Sequence, residues 1–206
     1  MARSGPYGRT RITLEAMKVT RLVALSVLLA VANAPAVEAR PRPAGGGSLK
    51  NFSANKTFGL GLELGQPTGL TGKYFLSDSN ALDFGVGYIY HNRWYGDDGL
   101  HLYADYLWHP ATLVSAEAFE LPFFIGVGGR FWDFDYCDGR VCGYGGSAIG
   151  VRIPLGIAFD FNRVPLDIAL NIVPVLDFIR GDYYDRYGDR THFGIDVSIA
   201  IRYWFK

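Results

Sequence analysis

Charged residues are sparse in this chain, and six of them stand where acids and bases could pair. Charged side chains make up 19% of the 206 residues, and they balance to no formal net charge at pH 7. Three acids and three bases lie inside runs of apolar and small residues: Glu63, Lys73, Arg130, Arg152, Asp177 and Asp196. A charge that leaves water is costly unless it is paired and hydrogen-bonded, and the planar guanidinium of arginine can hold a carboxylate with two bonds. The pattern therefore predicts an internal salt-bridge network.

The two cysteines are the next residues that could react. Cys137 and Cys142 lie close together in the sequence CDGRVC. In an exported protein, this spacing predicts a disulfide that pins the tip of a loop. The alternative is half of a metal site, for which the chain offers no second Cys/His pair at ligand spacing. We predict the disulfide and no metal.

The motifs of common enzymes do not occur. The chain has no G-x-S-x-G, no H-E-x-x-H and no P-loop motif. Its histidines are scattered, although His91 or His101 near an outer rim leaves a lipid-modifying enzyme as an alternative. The segment DYYDRYGDR, 182–190, could bind calcium or an adhesion partner, but its mixed charges are more typical of a solvated loop. We predict no enzymatic activity, no cofactor and, because the chain has no basic excess, no nucleic-acid partner.

The elements that must position these residues are strands. Alternation of apolar with small or polar side chains returns eight times between Phe58 and Phe205, most clearly in FGIDVSIAIRYWF, 193–205. Each run is near or above the roughly 9 to 11 residues that a tilted strand needs to cross a bilayer. The composition, with 26 glycines and 15% aromatic residues, also favours strands. We predict an all-β protein, an eight-stranded antiparallel up-and-down transmembrane β-barrel.

The two faces of the runs differ in a way that indicates which one points outward. The second face carries mostly glycine and alanine with few charges, which would be a poor water-facing surface. Eight strands leave an interior just wide enough for side chains to fill, so small residues there make room for a few large polar ones. We therefore expect Ile195, Val197, Ile199 and Ile201 to face lipid, whereas a soluble barrel would point them at a dry centre.

If this second face points inward and the runs alternate in direction from a periplasmic N-terminus, all six charged residues fall in the outer half of the lumen, where they would form a plug. The first hairpin gives a specific expectation: Glu63 and Lys73 should face each other across it. The alternative is an open pore lined by charges. A lumen of eight strands favours the plug.

The connections between the runs fit a barrel with a periplasmic N-terminus. Long outer loops are expected at 92–99, 133–147 and 180–191, and short inner turns at 77–80 and 161–165. The inner segment HPATLVSAEAFE, 109–120, is a long exception. Pro154 and Pro174 fall inside the sixth and seventh runs, where they are expected to mark bulges or kinks.

The N-terminal part of the chain is typical of export. From Met17, two basic residues precede an apolar run and small-residue exits, which predicts a secretory signal peptide that ends at Ala39. A membrane-spanning helix is the alternative, but the apolar run is too short for it. We expect an upstream extension and signal peptide over 1–39, a flexible leader over 40–55 and the barrel over 56–206.

Several segments, in this order, resemble a family of small, largely uncharacterised outer-membrane β-barrels that is similar in architecture to the OmpA transmembrane domain. The segments are GQPTGLTGKY, ADYLWH, LPFFIGVGGR, GVRIPLGI, PLDIALNIVPVLD and the ending IRYWF. The resemblance spans Phe58 to Phe205 and implies an eight-stranded barrel without an assigned activity. One departure is that Lys206 follows Phe205, whereas barrels of this class often end on an aromatic residue that the assembly machinery reads.

The sequence thus predicts a non-enzymatic integral protein of a Gram-negative type outer membrane, with a structural or surface-interaction role. Its expected partners are outer-membrane lipid, the barrel-assembly machinery and an extracellular ligand at the outer loops. The alternatives are a narrow pore for small solutes and a secreted soluble barrel that binds a lipid.

Overall fold

A computed structural model of the protein describes residues 50–89, 99–138, 141–181 and 191–205, without the side chains of 134–138, 141–145 and 180–181. The predicted signal peptide, most of the predicted leader and the tips of three predicted outer loops lie outside these residues. The described part contains no helix long and apolar enough to cross a membrane.

Nine strands occur in the described residues, and together they form one antiparallel sheet. They are β1 (Phe58–Gly65), β2 (Thr68–Phe75), β3 (Asn80–Ile89), β4 (Gly99–Ser115), β5 (Phe119–Asp138), β6 (Val141–Arg152), β7 (Leu155–Phe161), β8 (Leu166–Gly181) and β9 (Thr191–Phe205). Each strand from β1 to β4 pairs with the next one, β5 pairs with both β6 and β7, and both of these pair with β8. β8 then pairs with β9, and β9 pairs back with β1. The ladder therefore closes into a ring, and the all-β prediction is confirmed.

β6 and β7 share one position in this ring. Both pair with β5 on one side and with β8 on the other. Arg152 at the end of β6 lies opposite Gly128 of β5, and Leu155 at the start of β7 lies opposite Ile125 of β5. The break between β6 and β7 therefore spans the same number of residues as the facing part of β5, and the register continues through it. The nine strands consequently occupy eight positions around the ring.

The prolines interrupt the hydrogen bonding without shifting the register. Pro154 lies in the short break, yet its carbonyl accepts from the amide of Gly126 at 2.8 Å, and Ile153 N donates to Pro174 O at 3.0 Å. Pro174 stays within β8, opposite Ile195. Of the bulges or kinks expected at these prolines, the bulges are wrong, because the neighbouring groups still pair in register. The sixth run is nevertheless interrupted at Pro154, between β6 and β7. Bulges occur instead in the pairing of β4 with β5, where the register shifts between Trp108 and Ala111 and again between Thr112 and Val114.

Two predicted loops are largely strand. β4 continues to Ser115 and β5 begins at Phe119, so the long inner connection expected at 109–120 is wrong. β5 likewise continues to Asp138, and β6 begins at Val141. Both segments are rich in polar and small residues, so their sequences alternate poorly, but a backbone ladder needs no apolar side chain once neighbouring strands have fixed the register.

The ring has two ends, which we name by their connections. The turn end carries the connections at 76–79, 116–118 and 162–165, and the loop end carries those at 66–67, 90–98, 139–140 and 182–190. All three connections of the turn end are short. The first loop-end connection follows Gly65, which has a φ of 128° that favours glycine, and Thr68 Oγ1 lies 3.1 Å from the amide nitrogen of this glycine.

The outward and inward faces of the strands have opposite polarity. On β9, Ile195 and Val197 are 55% and 56% exposed, whereas Asp196 and Arg202 are 3% and 1% exposed. Large apolar side chains are also exposed on β1, β3, β4 and β8. The side chains of β9 therefore point as the sequence predicts, with the apolar residues outward and the charged residues inward.

Inward glycines leave room for large polar side chains on neighbouring strands. A Cβ added at Gly150 would lie 2.1 Å from Asp177 Oδ1, and one at Gly128 would lie 2.0 Å from Asp105 Oδ1. The outward Gly129 differs, because the nearest atom to an added Cβ is 3.6 Å away. The small residues of the second face thus have a packing role.

Candidate functional site: the buried charges inside the ring

All six charged residues that the sequence singled out lie inside the ring. Each of these six residues is at most 4% exposed. They do not form a single cluster. The interior contains four groups of polar contacts: three of these groups include the predicted residues, Glu63 lies beside the second, and the third consists of other charged residues. We describe the groups from the loop end to the turn end.

The first group centres on Arg130 of β5. Its Nε donates to Asp177 Oδ1 at 2.8 Å, its Nη2 donates to the second oxygen of the same carboxylate, and its Nη1 donates to Asp196 Oδ2 at 2.5 Å. The guanidinium carbon also lies 5.6 Å from the ring centroid of Trp132. One cation thus holds two carboxylates from β8 and β9, and these three residues are among the six predicted ones.

The second group pairs Arg152 of β6 with Asp105 of β4. Arg152 Nε donates to Asp105 Oδ2 at 3.2 Å. The guanidinium carbon lies 4.1 Å from the ring centroid of Tyr103, which is a cation–π distance. The sequence analysis named Arg152 but not Asp105 or Tyr103.

Glu63 lies beside this group and accepts hydrogen bonds from neutral donors. Tyr103 OH donates to Oε2 at 2.6 Å, Ser198 Oγ donates to Oε1 at 2.5 Å, and Asn171 Nδ2 lies 3.5 Å from Oε1. The Tyr103 hydroxyl in turn lies 3.1 Å from Thr71 Oγ1. Among the described residues, no cation lies within ion-pair distance of this carboxylate.

The third group was missed by the sequence analysis as a paired set. Arg202 of β9 holds Asp167 of β8 with two bonds of 3.1 Å each, and its Nη1 donates to Asp83 Oδ1 of β3 at 2.9 Å. All three residues stand on the inward face of their runs. Listing every charge on that face, rather than only those assigned to the outer half, would have found this group.

The fourth group corrects the prediction for Lys73. The register places Lys73 opposite Gly59, and Glu63 opposite Gly69, so both side chains point inward but do not meet across the hairpin. Lys73 lies near the end of β2, and therefore near the turn end rather than in the outer half. The sequence analysis matched opposite charges without fixing the register of the hairpin.

Lys73 has a neutral partner instead of a carboxylate. Its Nζ lies 2.8 Å from His109 Nε2, and it lies 4.8 and 5.3 Å from the ring centroids of Phe124 and Phe75. His109 Nδ1 lies 3.1 Å from the carbonyl oxygen of Ser79, which can only accept, so Nδ1 carries the proton and Nε2 accepts from the ammonium. The cation is thus stabilised by a histidine and by aromatic faces.

Apolar clusters lie on both sides of the charged groups. Toward the loop end, the buried cluster consists of Ile89, Trp132, Ala148 and Ile179. Toward the turn end, it consists of Ala81, Leu107, Phe124, Ala158, Ala169 and Ala200. The first three groups therefore occupy the middle of the interior, whereas Lys73 contacts Phe124 of the turn-end cluster.

Other residues that the sequence singled out are only partly described. The backbone places Cys137 directly opposite Cys142, but their side chains, like His91 and the segment 182–190, lie outside the described residues. His101 points inward and is fully buried, with its ring centroid 5.8 Å from that of Tyr103. The described residues contain no group of three or more His, Cys, Asp or Glu placed to hold a metal ion.

The geometry shows what these groups can do mechanically. Arg130 links β5 to β8 and β9, and Arg202 links β9 to β3 and β8. Arg152 links β6 to β4. Arg202 and Asp167 lie opposite each other on the neighbouring strands β9 and β8, whereas the other links join strands that are not neighbours in the ladder. The charged groups therefore brace the ring across its interior.

Comparison with known proteins identifies a family for the chain. The family model described as "Protein of unknown function (DUF3996)" matches residues 49–200. No curated protein and no solved structure matches the chain. The family description names no membrane, so the outer-membrane resemblance stays a prediction. Because the match covers most of the sequence, the protein belongs to this DUF3996 family.

Proposed function

We propose that the protein is a non-enzymatic integral outer-membrane β-barrel whose lumen is filled by charged side chains, with a structural or surface-interaction role. The observation that carries this proposal is the polarity of the ring. Its outward face is largely apolar and exposed, while the ion groups of Arg130, Arg152 and Arg202 are buried inside. Water would not stabilise such an outer face, because exposed apolar area of this extent marks an interaction with lipid or protein.

The distribution of aromatic residues supports a bilayer as the partner. Outward-facing aromatic residues near the turn end include Tyr74, Tyr106 and Trp108, each more than 40% exposed. A second set near the loop end includes Phe178 and Phe193, which are 53% and 63% exposed. Two aromatic girdles that flank an apolar band are typical of transmembrane barrels.

The interior supports a filled lumen rather than the narrow pore. The ion groups span the ring between β3, β4, β5, β6, β8 and β9, and apolar clusters lie on both sides of them. Eight strands enclose a space that side chains can fill. We therefore propose that the lumen does not conduct ions steadily.

The cellular setting follows from the sequence. The predicted signal peptide directs export, and the barrel-assembly machinery would insert the strands into the outer membrane. The segment 182–190 is the part of the loop end that we propose for contact with an extracellular ligand, because it combines tyrosines with charges of both signs.

The experiment that tests the membrane proposal is fractionation combined with gel mobility. We expect the full chain to remain in the outer-membrane fraction until detergent is added, and to migrate faster in a gel when unheated than after boiling. A protein that is released from the envelope without detergent would contradict insertion and favour the secreted soluble barrel.

A planar-bilayer recording separates the filled lumen from the pore. We expect the reconstituted protein to give no steady conductance above that of protein-free bilayers. A stable, reproducible single-channel level in the wild-type protein would overturn the filled-lumen proposal in favour of the narrow pore.

A further inference from the structure

Residues 50–56, which we call the N-terminal strap, lie against the turn end of the ring. At its beginning, Lys50 exchanges two backbone hydrogen bonds with Thr112 of β4, of 3.3 and 2.8 Å. The Lys50 ammonium lies 2.5 Å from Glu120 Oε1 of β5. The sequence analysis had placed residues 50–55 in a flexible leader, so the part of the chain that contacts the ring begins earlier than predicted.

The other end of the strap is anchored at a different strand. Lys56 Nζ pairs with the carboxylate of Asp160 and donates to the carbonyl of Phe161 at 2.9 Å, both in β7. Between the two anchors, Ala54 N donates to Asp78 O at 2.8 Å, in the connection between β2 and β3. The strap thus contacts β4, β5, β7 and a turn-end connection.

Phe52 is the apolar centre of the strap. It is 5% exposed, and its ring stacks on His109 with centroids 5.1 Å apart and planes at 30°. Its centroid also lies 5.7 Å from that of Phe75. Because His109 accepts from Lys73, and Phe75 contacts the same ammonium, Phe52 lies on the residues that surround Lys73.

The strap is attached differently from the strands. It belongs to no ladder: its described backbone contacts with the ring include one isolated bridge and the hydrogen bond from Ala54, whereas every strand of the ring belongs to a continuous ladder. Of the two ionic anchors, Lys50 is 38% exposed, whereas Lys56 is 5% exposed. A segment with few ladder bonds opens locally at a lower free energy than the sheet beside it.

We propose that the N-terminal strap is a releasable cover of the turn end, whose displacement exposes the Lys73–His109 pair to solvent while the ring stays closed. Phe52 supplies the seal, and the ion pairs to Glu120 and Asp160 hold it in place. The proposal concerns only this end of the ring, so it stands or fails independently of whether the outward face contacts lipid.

Selective acylation of lysines tests this cover. The folded full chain is treated with so little of a water-soluble, amine-reactive acetylating reagent that most molecules carry at most one modification, since acetylation of Lys50 would itself remove an anchor. The modified fraction of each lysine is followed over time by peptide mass mapping. In the wild-type protein, Lys50 should react readily and Lys73 slowly. Phe52→Ala should increase the rate at Lys73 by about tenfold or more, as expected when a minor open state becomes more populated.

Two controls separate opening of the strap from general loosening. Phe84→Ala removes an aromatic residue of the outward face, and it should leave the rate at Lys73 within about twofold of the wild-type rate. Heat-dependent gel mobility of each variant reports whether the ring is closed. An equal increase in Phe84→Ala and Phe52→Ala would overturn the proposal, because it would show loosening of the whole ring.

Further variants address the anchors and a locked state without removing Phe52. Glu120→Gln and Asp160→Asn weaken the ionic anchors, and each should increase the rate at Lys73 by a smaller factor than Phe52→Ala does. Lys50→Cys with Thr112→Cys, in a chain whose Cys137 and Cys142 are replaced by serine, should lock the strap when oxidised and lower the rate. A rate at Lys73 that is unchanged in all of these folded variants would overturn the proposal.

Discussion

Arg130 and Lys73 are both buried cations inside the same ring, but they are stabilised in different ways. Arg130 holds two carboxylates, Asp177 and Asp196, through charge-assisted hydrogen bonds. Lys73 has no carboxylate within ion-pair distance among the described residues, and it contacts a neutral histidine and two aromatic rings. Arg130 neutralises two buried carboxylates, whereas Lys73 is stabilised by a neutral imidazole and by two aromatic rings.

The difference predicts how each site responds when its cation is removed. Loss of Arg130 leaves two carboxylates buried without a partner, which is the costly case for an ion pair. Loss of Lys73 leaves a neutral imidazole and aromatic rings, which an apolar side chain can contact. The predictions below test this contrast through the free energy of unfolding, from the largest expected effect to the smallest.

Arg130→Met should be the most destabilising of these substitutions. We expect a loss of about 3–5 kcal/mol in the free energy of unfolding, because both carboxylates lose their cation at a buried site. Urea titration of the protein in lipid vesicles measures it. The matched control is Arg163→Met, which removes an exposed ion pair with Glu117 and should cost at most about 1 kcal/mol. Equal losses in the two variants would contradict the account.

Gly150→Ala tests the room that the Arg130 group needs. An added methyl group would lie 2.1 Å from Asp177 Oδ1, so the carboxylate must move away from the guanidinium. We expect a loss of about 1–3 kcal/mol, as for other overpacked interiors. The control is Gly129→Ala, whose added Cβ would lie 3.6 Å from its nearest neighbour and should change stability little. The contrast fails if Gly129→Ala is the more destabilising variant.

Lys73→Met should cost far less than Arg130→Met. The methionine keeps the contacts with Phe75 and Phe124, and His109 Nε2 loses one donor, so we expect a loss of about 1 kcal/mol. The same urea titration measures this loss. A cost as large as that of Arg130→Met would show that Lys73 neutralises carboxylates at longer range, and the proposed distinction between the two cations would be lost.

Glu63→Gln should have the smallest effect of the series. The carboxylate accepts from the hydroxyls of Tyr103 and Ser198 and has no cation partner among the described residues. A glutamine amide can keep both contacts, since the Tyr103 hydroxyl can accept from the amide and donate to Thr71, so we expect a change below about 1 kcal/mol. A loss above that of Lys73→Met would indicate that the negative charge itself stabilises the ring.

The sequence predicts the faces of the strands better than the contacts between side chains. Alternation with period two assigns every side chain of β9 to a face, and Asp196 and Arg202 point inward accordingly. Contacts across the ring depend in addition on register and on the stagger between strands. The partners of Arg130 come from β8 and β9, far along the chain, so the sequence analysis placed all three residues in one network but did not pair them.

Lys73 shows where that matching fails. Opposite charge suggested Glu63 as its partner, but the register of the first hairpin separates the two residues. The actual partner, His109, lies in a segment that the sequence analysis treated as a loop. Its position in β4 depends on strand pairing that continues through Pro110 and two bulges, and these features leave no regular alternation in the sequence.

The central claim is that the apolar outward face contacts lipid, and depth-dependent quenching tests it most directly. Single cysteines at Ile195, Val197, Ile199 and Ile201, in a chain with Cys137 and Cys142 replaced by serine, are labelled with a fluorophore and reconstituted in vesicles. Glu117→Cys at the turn end is the control. We expect nitroxide groups on the lipid tails to quench the four β9 positions strongly and the control weakly. Quenching of the β9 positions by iodide in the buffer, without quenching by the lipid nitroxides, would contradict the account.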